Sequence, residues 1–214
     1  MRKVCELGRS MVEMLGVLAI IGVLSVGGIV GYSTAMFKHK LNKHAQQLTS
    51  IFNLAARYSN SLQFNGANIY NSTGDFIALG EIPDEMIKNE TNDIYDIFNN
   101  KIRFQTYGLD FTTGESWNPA GSLLIAITLD PSENETSVAI CRNVINSAKE
   151  TKNNVWYFET IGLGNSRVET QYYGNNFCTN KNSCISTLTI KKIDNMCRGF
   201  AEQFANLKFQ IWFK

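Results

Sequence analysis

The stretch that decides the fold is residues 8–37, which read GRSMVEMLGVLAIIGVLSVGGIVGYSTAMF. Arg9 and Glu13 are its two charged residues, and no charge follows over residues 14–32. As an α-helix, residues 14–32 would span roughly 29 Å, which matches a bilayer core of about 30 Å. We therefore predict one membrane-spanning helix with a carboxylate, Glu13, at its edge.

The segment before this helix is short and polar. A cleavable secretory signal places its apolar core ahead of a small-residue cleavage site. Here residues 1–8 are polar and the apolar run comes afterwards. We therefore expect the apolar helix to be retained in the mature protein.

A basic leader that ends at Gly8, an acid five residues later at Glu13, and a long apolar helix together resemble the type IV prepilin family. The resemblance implies that a prepilin peptidase cleaves between Gly8 and Arg9 and that the new amino terminus is methylated. It also implies a role in filament assembly for Glu13. Arg9 stands where the family commonly has Phe or Met, and glycines at 27, 28 and 31 replace the proline often found midway along the family's helix.

Arg9 and Glu13 are four residues apart and therefore share a face of the predicted helix. Arg9 could thus compete with the amino group of a neighbouring subunit for the Glu13 carboxylate. The alternative is that Glu13 lies solvated in the headgroup layer without a role, since an acid at the edge of a span costs less than one at its centre.

Composition suits one anchor followed by one globular domain: the chain has 214 residues, 44% of them hydrophobic, and a net charge of +1. The charges are unevenly distributed. Basic residues dominate residues 38–57, whereas acids dominate residues 75–96. Such blocks could favour contact between copies of the chain. The alternative, which is at least as common, is that the charged residues simply form solvent-exposed faces.

Cysteine usage favours an exported domain. Cys5 belongs to the predicted leader, and the mature chain keeps four cysteines: Cys141, Cys178, Cys184 and Cys197. An even number in an exported domain suggests two disulfides, for which the sequence allows three pairings. We favour a short ring, Cys178 with Cys184, and a long ring, Cys141 with Cys197. The spacing is not that of paired Cys-x-x-Cys knuckles, which disfavours a metal site.

The helical pattern continues beyond the apolar run. Apolar residues recur every three or four positions from Phe37 to Leu62, which predicts one helix from about Ser10 to about Leu62 with an apolar stripe facing a sheet. His39 and His44 lie five residues apart on this stretch, a spacing that does not favour a shared ligand role.

Downstream, residues 63–119 are rich in Asn, Gly, Asp and Thr, with short apolar bursts at 94–98 and 102–104, and predict a long, partly ordered connection. The patterns predict strands at 122–129, 155–161, 184–193 and 208–213, and short helices at about 131–149 and 195–205. The fold class is therefore α+β: a long N-terminal helix, membrane-spanning in its first half, packed on an antiparallel sheet. This layout resembles the type IVb pilins, in which a disulfide closes the last third of the domain. The expected regions are a leader at 1–8, an assembly helix at 9–36, its amphipathic continuation at 37–62 and a head at 63–214.

No motif for catalysis or phosphate binding occurs in the sequence, so we expect neither an enzyme nor a cofactor, a metal or a nucleic-acid partner. Aromatic residues at 156–158 and 172–173 could form an adhesive patch, although strand core and rim are more usual for such runs.

The resemblance implies a pilus subunit that polymerises with copies of itself. It would sit in the inner membrane, be extracted by the pilus assembly machinery and end on the cell surface. The alternatives are a minor pilin, a type II secretion pseudopilin or a membrane-tethered binding protein.

Overall fold

The computed structural model describes residues 11–59, 61, 69–88, 93–107, 122–129, 134–163, 168–179, 182–203 and 206–214. The chain divides into two compact units, Met1–Lys40 and Leu41–Lys214. The predicted leader and the Gly8–Arg9 bond lie outside the described residues.

One helix, α1, runs without interruption from Met11 to Tyr58. It passes through the glycines at 27, 28 and 31 as regular helix, although glycine costs up to about 1 kcal/mol relative to alanine in a helix interior. The helix ends at Tyr58, one turn before the predicted end at Leu62.

The second half of α1 supplies part of the head's core. Leu48, Ile51, Phe52 and Ala55 are buried on one face of the helix, at the spacing expected of an amphipathic helix. The ring centroids of Phe52 and Phe213 lie 5.9 Å apart. Each fully buried side chain of this size stabilises the fold by roughly 1.5–3 kcal/mol.

The head contains a seven-stranded antiparallel sheet of order β1-β3-β4-β7-β5-β6, with β2 also paired to β3. The strands are β1 Ile69–Asn71, β2 Ile94–Tyr95, β3 Lys101–Tyr107, β4 Leu123–Leu129, β5 Val155–Leu163, β6 Val168–Tyr173 and β7 Asn206–Phe213. Three further helices are α2 Thr73–Ala78, α3 Asn134–Glu150 and α4 Ile190–Gln203. A long apolar N-terminal helix packed on an antiparallel sheet confirms the predicted α+β fold class.

The two faces of the sheet differ in chemistry. On β4, Leu123, Ile125 and Ile127 join the core that includes α1. Ala126 and Thr128 alternate with them and therefore lie on the opposite face, which we call the outer face. The sheet thus leaves a second surface that α1 does not cover.

Two parts of the sequence prediction were wrong. Residues 184–193, predicted as a strand, form a 3-10 turn at Ile185–Thr187 followed by the first turn of α4. The buried residues there are Ile185, Leu188 and Ile193, whose separations of three and five do not fit a strand's period of two. The connection predicted over 63–119 contains β1, α2, β2 and all of β3.

Candidate assembly helix and head

The first half of α1 presents an apolar surface that none of the described residues covers. It belongs to the one helix in the described ranges that is long and apolar enough to span a membrane, and none of its apolar window is buried. The core helix of a water-soluble domain would bury such a window. An uncovered apolar surface of this size is typical of segments that contact lipid or another protein.

Glu13 lies in the first turn of α1 and is exposed. Met14, Val17 and Leu18 border it, so the carboxylate sits at the margin of an apolar surface. Arg9, the expected competitor for this carboxylate, lies outside the described residues.

The hydroxyls of Ser25, Ser33 and Thr34 in the apolar half of α1 donate to carbonyls of their own helix. Ser25 Oγ donates to the carbonyl of Ile21 at 2.7 Å, and Thr34 Oγ1 donates to that of Val30 at 2.9 Å. Such back-bonding removes polar hydrogens from the helix surface. These residues can therefore face lipid or another helix without an unpaired donor.

In the second half of α1, His44 and Asp96 form a contact in which both side chains are 0% exposed. His44 Nε2 faces Asp96 Oδ2 at 3.0 Å, near enough for an ion pair although its direction does not meet hydrogen-bond geometry. On the other side of the ring, Nδ1 lies 3.3 Å from Asn143 Nδ2, which also donates to the Leu41 carbonyl. An amide donor there fits the tautomer whose proton is on Nε2.

The Asp96 carboxylate also organises the turn between β2 and β3. Its Oδ1 accepts from the backbone amides of Phe98 and Asn100, and its Oδ2 accepts from the Asn100 side chain. The ring of Phe98 packs edge-on to His44, 5.5 Å between centroids. One buried carboxylate thus links the turn to the helix.

The basic and acidic blocks of the sequence meet within one chain. Lys43 on α1 pairs with Glu85 at 2.9 Å, and Arg57 pairs with Glu81 at 3.2 Å. The Lys43 hydrogen bond is the main reason why the pKa of Glu85 is lowered. These exposed pairs add little stability each, but they account for part of the charge pattern without contact between copies.

Helices α3 and α4 are joined at Cys141 and Cys197, which are each 1% exposed and lie at disulfide distance with Cα atoms 5.7 Å apart. Cys178 and Cys184 form the second pair, with Cα atoms 5.6 Å apart. These are the pairings favoured from the sequence. Asp194 on α4, which pairs with Arg142 on α3 beside the first disulfide, has a lowered pKa because of the Arg142 hydrogen bond.

The two disulfides are expected to differ in their effect on stability. Replacing Cys141 and Cys197 together with Ala should lower the free energy of unfolding by about 4 kcal/mol, and replacing Cys178 and Cys184 by about 2 kcal/mol, because the longer ring restricts more of the unfolded chain. Urea unfolding of the two double variants measures the difference, after nonreducing peptide mapping has verified the pairing in the parent. Equal losses, or free thiols in the parent isolated without reductant, would contradict this assignment.

The aromatic residues considered as an adhesive patch are mostly packed. Phe158 and Tyr172 belong to the main core, while Tyr157 lies with Leu124 and Trp212 in a second cluster, against which Trp156 and Tyr173 pack. These aromatic residues therefore belong to the core and rim of the strands, the more usual alternative to an adhesive patch.

Sequence reasoning missed the polar cluster of His44, Asp96 and Asn143. The burial of His44 could have been predicted, because position 44 is one helical turn from both Leu41 and Leu48 on the apolar stripe of α1. Nothing local distinguished Asp96 from its acidic neighbours, because its partner is 52 positions away, at His44.

No family model matches the chain, and comparisons with curated proteins and with solved structures gave no significant match. The assignment of function therefore rests on the chain's own sequence and geometry.

Proposed function

We propose that this chain is the structural subunit of a type IV pilus-like filament. The observation that carries the proposal is the apolar half of α1, which no described residue covers and which has Glu13 in its first turn, while Leu41–Lys214 forms a compact unit. Lipid covers this helix before assembly, and the helices of other subunits cover it in the filament.

The transfer from membrane to filament has two energetic parts. Lipid and a bundle of apolar helices are similar solvents for the apolar side chains, so exchanging one for the other costs little hydrophobic free energy. Glu13 behaves differently, since an unpaired carboxylate is costly in either medium. Assembly therefore favours the register in which Glu13 meets a cation, and the free amino group of a neighbouring subunit's Arg9 is the partner we assign.

Cleavage by prepilin peptidase is expected at the Gly8–Arg9 bond, because a basic leader ends at Gly8 and Glu13 follows five residues later. Mass spectrometry of the amino terminus should find a mature chain that begins at Arg9. A chain that still begins at Met1, or one cut after the apolar run, would remove the prepilin basis of the proposal.

Electron microscopy of sheared surface material, with mass spectrometry of the filaments, separates the filament subunit from its alternatives. Abundant filaments made of this chain support the proposal. Trace amounts in filaments made of another protein would instead indicate a minor pilin or pseudopilin, and retention in the membrane would indicate a tethered binding protein.

A further inference from the structure

The outer face of the sheet carries a trough with cationic walls and a floor of small side chains. It has a volume of about 270 Å³ and is lined by Lys101, Arg103, Gln105, Ala126, Thr128 and Lys208. The strand registers explain its shape. Lys101, Thr128 and Lys208 lie in one row across β3, β4 and β7, so a short side chain stands between two long ones.

Asp93 holds the β3 wall in place. This mostly buried carboxylate pairs with Lys101 Nζ at 2.9 Å and with Nε and Nη2 of Arg103. The Arg103 hydrogen bond lowers the pKa of Asp93, so the carboxylate stays ionised at neutral pH. Arg103 Nη1 takes no part in the pair. A wall that is already ordered loses less side-chain entropy when a ligand binds.

The opposite wall is held in a similar way. With its amide oriented to suit both neighbours, Gln210 accepts from Lys208 Nζ and donates to Glu159 Oε2, each at 3.1 Å. The Gln210 amide thus stands between Lys208 and the buried acid Glu159. Among the described side chains of the two walls, the cations Lys101, Arg103 and Lys208 outnumber the acids Asp93 and Glu159, so the walls carry an excess of positive charge.

We propose that this trough binds one unit of an acidic saccharide. The sugar carboxylate would meet the cationic walls, its hydroxyls would meet the Gln105 amide and the Thr128 hydroxyl, and an apolar face of the ring would lie on the Ala126 methyl. Ammonium, guanidinium, amide and hydroxyl groups all donate hydrogen bonds that the carboxylate and hydroxyl oxygens of a sugar accept.

Two features favour a saccharide over an acidic peptide. β3, β4 and β7 each pair with a strand on both sides, so the trough offers no free strand edge to which an extended peptide could add. The volume is also close to the lower limit of small-ligand pockets, roughly 300 Å³, which suits one ring. The proposed saccharide site lies in the head and does not depend on filament assembly.

Titration of the full chain in detergent micelles tests the inference, with sodium glucuronate as the probe. Glucose supplies the ring without the acid, and sodium acetate supplies the acid without the ring. We expect glucuronate to bind at least about tenfold more tightly than either. Glucose lacks the charged group, whose hydrogen bonds are stronger than those between neutral groups, and acetate lacks the ring.

Three variants locate the site. Lys208→Gln removes one wall charge, and Ala126→Val keeps every charge but fills the floor with a residue that strands favour; each should weaken glucuronate binding by about tenfold. Lys191→Gln, at an exposed position on α4, is the matched control and should bind as the parent does. Near-ultraviolet circular dichroism verifies that each variant is folded.

Equal binding of glucose and glucuronate would overturn the inference, as would parental affinity in both trough variants. A glutamate-rich peptide that binds more tightly than glucuronate and displaces it would also overturn it, and would identify an acidic peptide as the ligand. Loss of self-association in Lys208→Gln, without loss of sugar binding, would assign the trough to contact between copies.

Discussion

Replacing Glu13 with Gln is expected to reduce the yield of surface filaments by at least about tenfold, because the amide keeps the side-chain volume and loses the ionic attraction to a neighbouring amino group. The change leaves the apolar surface of α1 unaltered, so membrane insertion, leader cleavage and both disulfides should persist. Quantitative blotting of sheared filaments, normalised to subunit in the membrane, measures the effect.

Three further variants separate the Glu13 charge from general effects. Glu13→Asp keeps the charge and should retain part of the yield, and Asp84→Asn, which removes an exposed acid from the head, should retain all of it. Arg9→Phe should preserve or raise the yield if the Arg9 side chain competes for Glu13. Normal assembly by Glu13→Gln subunits would show that the carboxylate has no role, and the filament proposal would then rest on the apolar helix alone.

The second large effect is expected at Asp96, where Ala should lower the free energy of unfolding by about 3–5 kcal/mol, because each buried donor left without an acceptor costs roughly 1–3 kcal/mol. The variant removes the acceptor of the Phe98 and Asn100 amides and leaves the fully buried His44 ring without its acid. Urea unfolding of the full chain in micelles, with disulfides intact, gives the change from the midpoint and slope.

Asp84→Ala, on the exposed surface of the head, is the matched control and should stay within about 0.5 kcal/mol of the parent. His44→Leu combined with Asp96→Ala should cost less than the sum of the two single changes, because residues in direct contact couple by roughly 0.5–3 kcal/mol. Additive effects, or an Asp96→Ala variant as stable as its parent, would show that the contact does not stabilise the head.

The sequence predicted best those elements whose burial follows one strong period. In α1 the apolar residues repeat at three or four, and in β7 they alternate, so both elements were predicted close to their observed bounds. β4 is nearly all apolar, LLIAITL, and its length and β-branched residues identified it. Periodicity indicates which face of an element is buried, and for these elements it was enough to predict both their type and their approximate bounds.

Elements that depend on distant partners were not predictable in this way. β3 reads KIRFQTY, where Ile102 and Phe104 are the two apolar residues of its buried face, and its place in the sheet comes from pairing with β1 and β4. The Asp96 contact is similar, since its partners lie on α1. In the trough, Lys101 and Lys208 lie on either side of Thr128 only because β3, β4 and β7 pair in one register. That register cannot be predicted from any one of the three segments.

The position of β7 constrains the order in which the head can form. β7 lies between β4 and β5, although both precede it in the chain. While a ribosome still holds residues 206–213, pairing is limited to two groups of strands, β1, β2, β3 and β4 in one and β5 with β6 in the other. In each group the strand that will contact β7 has an unpaired edge, which favours aggregation. In the proposed subunit, residues 14–32 have by then been available to the membrane for most of synthesis. Anchoring therefore comes first, and the head closes last, on a chain that can no longer diffuse away from the bilayer.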